Sequence, residues 1–226
     1  LGDDQRGEIL QAKPTVLKTM DISGQLREGV SRKIENTIYV VSYQPQGYYA
    51  SGWYAARATT TTAKEQAWVY SFDVSDAKNL KKASELQIFE GGSVQFSSNS
   101  QTYNRYFQGV SLSATSNALM VAENWSVYSY ASSGGSSGCG SYESTQLAVI
   151  SIIDISDPKG SIRRHTRFET AGTVSDQFKM TYVFDDAAKT GTFFGIFARQ
   201  VWSGSGCSGT SLIRNTLESW DVTDGA

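Results

Sequence analysis

A short strand-and-turn pattern occurs three times in this chain and restricts the fold more than any other feature. The copies occupy residues 70–76, 151–157 and 218–224, and each is an apolar strand followed by Asp, a β-branched residue, a hydroxyl residue and a second Asp. Short Asp, Ser and Thr side chains bond to nearby backbone groups and favour tight turns between antiparallel strands. The first Asp of each copy serves below as its landmark: Asp73, Asp154 and Asp221.

Besides the turn at each landmark, the sequence predicts another hairpin before it, with a polar turn followed by an apolar strand. These hairpins occupy residues 29–43, 110–124 and 179–199, and their turns lie at residues 35–36, 115–117 and 185–188. The apolar runs after the turns are typical of buried strands. The distance from Val40 to Asp73 is 33 residues, and so is that from Val121 to Asp154. This coincidence indicates that the hairpins belong to the same repeat.

The repeat predicts an all-β fold with four antiparallel strands in each unit. Tandem four-stranded units are typical of a β-propeller, and about three blades are present here. The alternative is a β-sandwich whose strands resemble one another by chance. The predicted units are residues 1–28, which hold the last strand (14–21) of a preceding blade, the blades 29–90 and 91–170, and 171–226, a blade lacking its last strand.

Three blades are too few to close a propeller, which typically has four to eight. An open array leaves unpaired strand edges at both ends, which natural proteins rarely tolerate. We therefore expect the remaining blades to come from the same, longer protein or from another chain that completes the ring, and the first alternative is favoured.

The segment 29–43, which reads GVSRKIENTIYVVSY, resembles secreted bacterial and archaeal proteins with a C-terminal β-propeller domain. In that family a Gly, a short gap and Ser-Arg precede a Leu/Ile-Tyr-Val strand, and strands ending in Asp-Val-Ser-Asp recur. The family is distantly similar to WD40 proteins. The resemblance implies a propeller architecture and a secreted, periplasmic or cell-surface location, and it carries no catalytic residues.

Three long predicted loops, residues 44–66, 126–145 and 200–211, should emerge on the same face because they follow equivalent strands. Aromatic side chains on a Gly/Ser-rich backbone are common in binding surfaces. We expect this face to bind a protein or a glycan, unless its aromatic rings only pack on one another and on neighbouring blades. The candidate binding residues are Tyr48, Tyr49, Trp53, Tyr54, Trp125, Tyr128, Tyr130 and Trp202.

The two cysteines lie in matching glycine-flanked loops of adjacent units. Cys139 precedes its landmark by 15 residues and Cys207 by 14. This placement predicts a disulfide bond between neighbouring blades, which would fit an oxidising compartment. The alternative is two independent free thiols.

Composition limits the remaining chemistry. With one histidine and two cysteines, the chain has few ligands for a zinc site. Its formal net charge of -2 disfavours non-specific electrostatic binding to nucleic acid. The Asp pairs at each landmark favour turn capping over calcium binding, so no metal or cofactor is expected. The segment 163–167, which contains His165, is expected on an outer strand facing water. No apolar run is long enough to span a membrane.

These observations favour an exported, non-catalytic β-propeller module for binding or for surface assembly. The alternative is a carbohydrate-active or other hydrolytic enzyme with its site in the central channel, because acidic residues distant in sequence can converge there.

Overall fold

The computed structural model describes residues 15–22, 24, 26, 30–44, 65–91, 94–98, 101–131, 141–185, 187, 190–205 and 208–223. Within these ranges the chain is all-β, with twelve strands and one three-residue 3-10 helix, Gln177–Lys179. The strands are β1 (Ser31–Ile34), β2 (Thr37–Gln44), β3 (Glu65–Asp73), β4 (Lys81–Gly91), β5 (Val94–Ser98), β6 (Gln101–Ala114), β7 (Ala118–Ala131), β8 (Ser141–Asp154), β9 (Arg163–Ala171), β10 (Met180–Asp185), β11 (Thr190–Ser205) and β12 (Ser208–Asp221). In the part of the chain that the structure describes, no helix is long and apolar enough to cross a membrane.

The strands form three antiparallel groups, which confirms the all-β prediction. The first group is a separate sheet of β1, β2, β3 and β4 in chain order. The second group runs from β6 to β9, with β5 paired to β6, and the third group consists of β10, β11 and β12. The second and third groups share one sheet because three residues of β11 pair with β8.

The landmark aspartates hold the same place in all three groups. Each ends a strand and lies opposite a residue near the start of the preceding strand, in the pairs Thr37–Asp73, Ala118–Asp154 and Thr192–Asp221. Residues at equal distances along the chain from these pairs are called equivalent positions below. Tyr39, Met120 and Phe194 are one such set.

The aspartates act as turn caps. The Oδ1 atoms of Asp73, Asp154 and Asp221 accept hydrogen bonds of 2.9, 2.9 and 3.0 Å from the backbone nitrogens two residues further on. The second aspartates, Asp76 and Asp157, accept equivalent bonds of 2.9 Å. Hydrogen bonds from Ser75 lower the pKa of Asp73 because they stabilise its charged form.

The groups pack face to face through two apolar cores. Tyr39 and Val41 of the first group share one core with Leu119 of the second. Met120 of the second group shares the other core with Phe193 of the third. Because successive side chains of a strand point to opposite faces, the neighbours Leu119 and Met120 enter different cores. The middle strands are therefore apolar on both faces.

The remaining face of the first group also carries an apolar cluster. Val40, Tyr70 and Phe72 are buried there, and Met20 and Ile22 pack against them. The sequence predicts a strand at residues 14–21, but the described residues 15–22 form none. No strand of the described chain pairs with this segment, and an isolated strand lacks the ladder of hydrogen bonds that would hold it.

Two of the three predicted long loops are mostly strand. β7 continues to Ala131 and β8 begins at Ser141, while β11 continues to Ser205 and β12 begins at Ser208. Pairing satisfies the backbone polar groups of these Ser-rich segments, so it prevails over their loop-like composition. Most of the first predicted loop, residues 45–64, lies outside the described residues.

Glycine is required where the chain passes from one group to the next. Gly172 follows β9 and has a φ of +102°, and Gly24 in the segment before the first group has a φ of +89°. A Cβ atom on Gly172 would lie 3.0 Å from the carbonyl oxygen of Ala198, and one on Gly24 would lie 3.0 Å from that of Tyr43. Tyr43 and Ala198 are equivalent positions, so in both links a glycine with positive φ lies close to the carbonyl oxygen of an equivalent residue.

Replacing Gly172 with Ala should lower the free energy of unfolding by about 1–2 kcal/mol, because an L-residue is strained at this φ. Urea unfolding measures the loss. The matched control is Gly91→Ala, where the nearest described atoms to the added Cβ are those of the Phe89 ring, at 3.4 Å. Equal stabilities of the two variants would contradict the argument.

Candidate functional site

The structure describes only some of the predicted binding residues. Tyr130 and Trp202 lie on β7 and β11, but only their backbones are described. The others outside the described residues are Tyr48, Tyr49, Trp53 and Tyr54, and the two cysteines Cys139 and Cys207.

Trp125 packs in the core between the first and second groups. Its side chain is only 4% exposed, and its ring meets those of Phe89 and Phe107 edge-on at 5.2 Å. The Arg105 guanidinium lies 4.4 Å from the centre of the Trp125 ring, in a cation–π contact. This ring therefore has the packing role that the sequence left open as an alternative.

Tyr128, by contrast, is exposed. It forms an edge-to-face pair with Tyr106 at 5.6 Å between ring centres, and the two residues are 45% and 43% exposed. Tyr106 was not among the predicted binding residues. An exposed aromatic pair offers a ligand a large apolar contact area that is already ordered.

The strand register brings other predicted positions close to Tyr128. Tyr128 of β7 lies opposite Ser144 of β8, and Ser144 lies opposite Trp202 of β11. Neighbouring strands are about 4.8 Å apart, so the backbones of residues 128 and 202 are about 10 Å apart. Tyr130 pairs with Tyr142 in the row two residues further along. Tyr106, Tyr128 and the strand positions 130, 142 and 202 are called the aromatic face below.

A polar cleft of about 380 Å³ lies where the second group meets the link to the third. It carries amide and hydroxyl side chains and no ionised group; its residues are Gln108, Gly109, Val110, Ser111, Asn124, Gln146, Thr173, Val174 and Ser175. Gln146 is two residues from Ser144 on β8, so the cleft and the aromatic face adjoin each other.

The cleft is built on hydrogen bonds that hold the link in place. Asn124 accepts a bond from the Val174 backbone nitrogen and donates one to the Val174 carbonyl, both 2.9 Å long. Ser111 donates to the same carbonyl at 2.8 Å. Thr173 pairs through its backbone with Ala198, at 2.8 and 2.9 Å. The wall of the cleft is thus fixed before any ligand arrives.

A second cleft, of about 270 Å³, lies beside His165 at the other end of the junction between the second and third groups. His165 was expected to face water, but its Nε2 atom lies 3.0 Å from the carbonyl oxygen of Val222 in the third group. Ala118 and Ile152 line this cleft and are equivalent to Thr37 and Ser71.

The equivalent place at the first junction is filled by the chain itself. There Gly160 packs beside Thr37, and the Ser71 hydroxyl donates to the Gly160 carbonyl. The cleft beside His165 is therefore a packing position of the repeat, and the polar cleft is the better candidate site.

One buried carboxylate lies near the core between the first and second groups. Glu123 is 0% exposed, and its two oxygens accept bonds of 3.0 and 3.3 Å from Arg167. Burial raises the pKa of Glu123, against the attraction of Arg167. In the described ranges no three His, Cys, Asp or Glu side chains come together in a way that could hold a metal ion.

Replacing Arg167 with Ala should reduce the free energy of unfolding by roughly 2–3 kcal/mol at pH 8, because it leaves the Glu123 charge buried without its partner. The loss should be smaller than for a fully buried pair because Arg167 is 42% exposed. The raised pKa means that the folded state binds a proton more tightly than the unfolded state, so stability falls as pH rises through that window. Urea titrations at pH 5 and pH 8 should show a smaller deficit at pH 5.

The control for this experiment is the double variant Arg167→Ala/Glu123→Leu, which removes both charges of the pair. Its deficit should be the same at both pH values. A deficit of the single variant that does not change between pH 5 and pH 8 would contradict the assignment.

No protein-family model, curated protein or solved structure matches this chain. The class that the structure defines is an all-β chain of antiparallel strand groups, in which the exposed pair of Tyr106 and Tyr128 lies beside a neutral polar cleft.

Proposed function

We propose that the three strand groups are blades of a β-propeller and that the chain is an exported, non-catalytic binding module. Equivalent positions support the stacked arrangement. Tyr39 of the first group and Met120 of the second both point towards the following group, whereas Leu119 and Phe193 both point towards the preceding one. Each group therefore uses the same two faces in the same order, as blades around an axis do.

The proposed ligand is a neutral glycan bound at the aromatic face and the polar cleft. The observation that carries this proposal is the exposed Tyr106–Tyr128 pair beside a cleft lined by amides and hydroxyls. Sugar rings present C–H groups that pack on aromatic faces and hydroxyls that bond to amides. The absence of ionised side chains in the lining of this cleft favours an uncharged ligand over a nucleic acid or an acidic polymer.

Tyr130 and Trp202 extend the same surface in this proposal, because their positions lie on the strands of the aromatic face. The segment 45–64, which contains the other four predicted aromatic residues, lies outside the described residues. Trp125 is outside the proposed contact surface because its ring is in the core.

We also propose a disulfide bond between Cys139 and Cys207, which lie in the segments between β7 and β8 and between β11 and β12. The two hairpins adjoin each other, because Tyr142 of β8 lies opposite Gly204 of β11. A bond there would join the two hairpins that carry the aromatic face, and it would fit an exported protein.

Replacing Tyr128 with Ala should weaken glycan binding about tenfold, since a buried aromatic contact contributes on the order of 1–2 kcal/mol. Binding is measured by titrating the protein with a panel of neutral gluco-, manno- and chito-oligosaccharides and following tryptophan fluorescence. Tyr106→Ala should have a similar effect.

Tyr128→Phe is the matched control, because it keeps the ring and should keep most of the affinity. If no oligosaccharide of the panel binds the unaltered protein, or if Tyr128→Ala binds equally well, the glycan proposal is wrong.

Protein purified without reductant from an oxidising compartment should show no reactive thiol after denaturation. Thiol titration with a chromogenic disulfide measures this directly. Reduction should then lower the free energy of unfolding by about 2–4 kcal/mol. Two titratable thiols per chain in the denatured, unreduced protein would disprove the bond.

A further inference from the structure

The outward face of the third group is the face turned away from the second group. It carries exposed apolar side chains, whereas the residues at equivalent positions of the second group are buried. Phe194, Ile196 and Leu217 are 37%, 42% and 75% exposed. Their equivalents in the second group, Met120, Ala122 and Ile150, are each 0% exposed because the third group covers them. The outward face therefore has the composition of a junction between groups but has no described group upon it.

The third group also lacks a last strand that the other two groups have. In the first group β4 pairs with β3, and in the second group β9 pairs with β8. Among the described strands, β12 pairs with β11 alone. The other edge of this 14-residue strand is thus a place where a fourth strand can add.

The segment 15–22 is the counterpart of this open edge. It occupies the position of a last strand, but the described chain contains no preceding group to which it could belong. It precedes Gly24 as β9 precedes Gly172, and the two glycines are equivalent. Met20 lies four residues before Gly24, and Phe168 lies four residues before Gly172. Phe168 packs on Phe193 and Trp220 of the next group, at 5.4 and 4.9 Å between ring centres.

Met20 makes the corresponding contact at the first group. It packs against Val40, Tyr70 and Phe72, and Phe72 is equivalent to Trp220. Thus the segment 15–22 lies against the first group as β9 lies against the third.

We propose that two copies of this chain associate head to tail, the segment 15–22 of each adding to the β12 edge of the other. The first group of one copy then covers Phe194, Ile196 and Leu217 of its neighbour. Two copies bring six groups, which is within the four to eight that close a propeller, and the ring satisfies both open faces of each copy. This inference rests on the proposed stacking of blades and is independent of the glycan.

The repeat fixes the register of the added strand. Phe168 of β9 lies opposite Ile150 of β8. Since Met20 corresponds to Phe168 and Leu217 to Ile150, Met20 of one copy should lie opposite Leu217 of the other. This pair provides a direct test.

The mass of the full chain in solution is measured by light scattering after size exclusion. The unaltered protein should give about 49 kDa, twice the 24.6 kDa of one chain. Leu217→Glu and Met20→Lys should each shift the equilibrium to the monomer, because each places a charge against an apolar side chain. In the double variant the opposite charges face each other across the junction, so its dimer should be about tenfold tighter than that of either single variant.

The control is Phe178→Glu, at a residue that is 86% exposed in the 3-10 helix and lies on neither face, and it should remain dimeric. Circular dichroism and a cooperative urea transition verify that each variant is folded. A monomeric unaltered protein overturns the proposal. A dimer that is weakened by Leu217→Glu but not by Met20→Lys also overturns it, because that result indicates two third groups packed face to face.

A failure of this test differs from a failure of glycan binding. The first is seen in the mass and the second in the oligosaccharide titration, and the variants of Tyr106 and Tyr128 leave the mass unchanged.

Discussion

The constraint on which the whole structure depends is that its middle strands are apolar on both faces. In β7, Leu119 and Met120 are neighbours, and both are fully buried, one in each core. A sheet of this kind cannot leave either face in water without losing about 25 cal/mol for every Å² of apolar surface exposed. Stacking similar groups face to face covers both sides of each inner group. Apolar faces then remain only at the two ends of the stack.

The candidate site follows from a change of partner along β8. Leu147 to Asp154 pair with β9, which leaves the edge at Gly172, and Ser144 then pairs with β11 of the next group. Near Asp154 the second and third groups are thus held together by apolar stacking. Near Ser144 they are held by backbone hydrogen bonds between β8 and β11. This junction puts Tyr128 and the backbone of Trp202 into one row and places a polar cleft beneath them.

The part of this architecture that depends on local chemistry could be predicted from the sequence, since an Asp-capped turn such as that at Asp154 needs only neighbouring residues. The pairing of β8 with β11 joins distant segments, and no local pattern indicates it. Ser126 to Ala131 resembled a loop because of its serines, yet it is strand. Once that strand is known, simple alternation separates the buried Trp125 from the exposed Tyr128. Tyr106 was missed for the same reason, because its strand was predicted to begin at Val110.

Polar contacts make each junction specific for the two groups that form it. Apolar packing between similar faces cannot provide this specificity. At the first junction Arg164 donates to the carbonyls of Gln87 and Ile88, both at 2.8 Å. At the second, Ser113 donates to the carbonyl of Met180 at 2.9 Å. A one-residue slide would keep much of the apolar contact but leave these directional bonds unmade, at a cost of about 1–3 kcal/mol for each buried group. The internal junctions are therefore specific for their own partners.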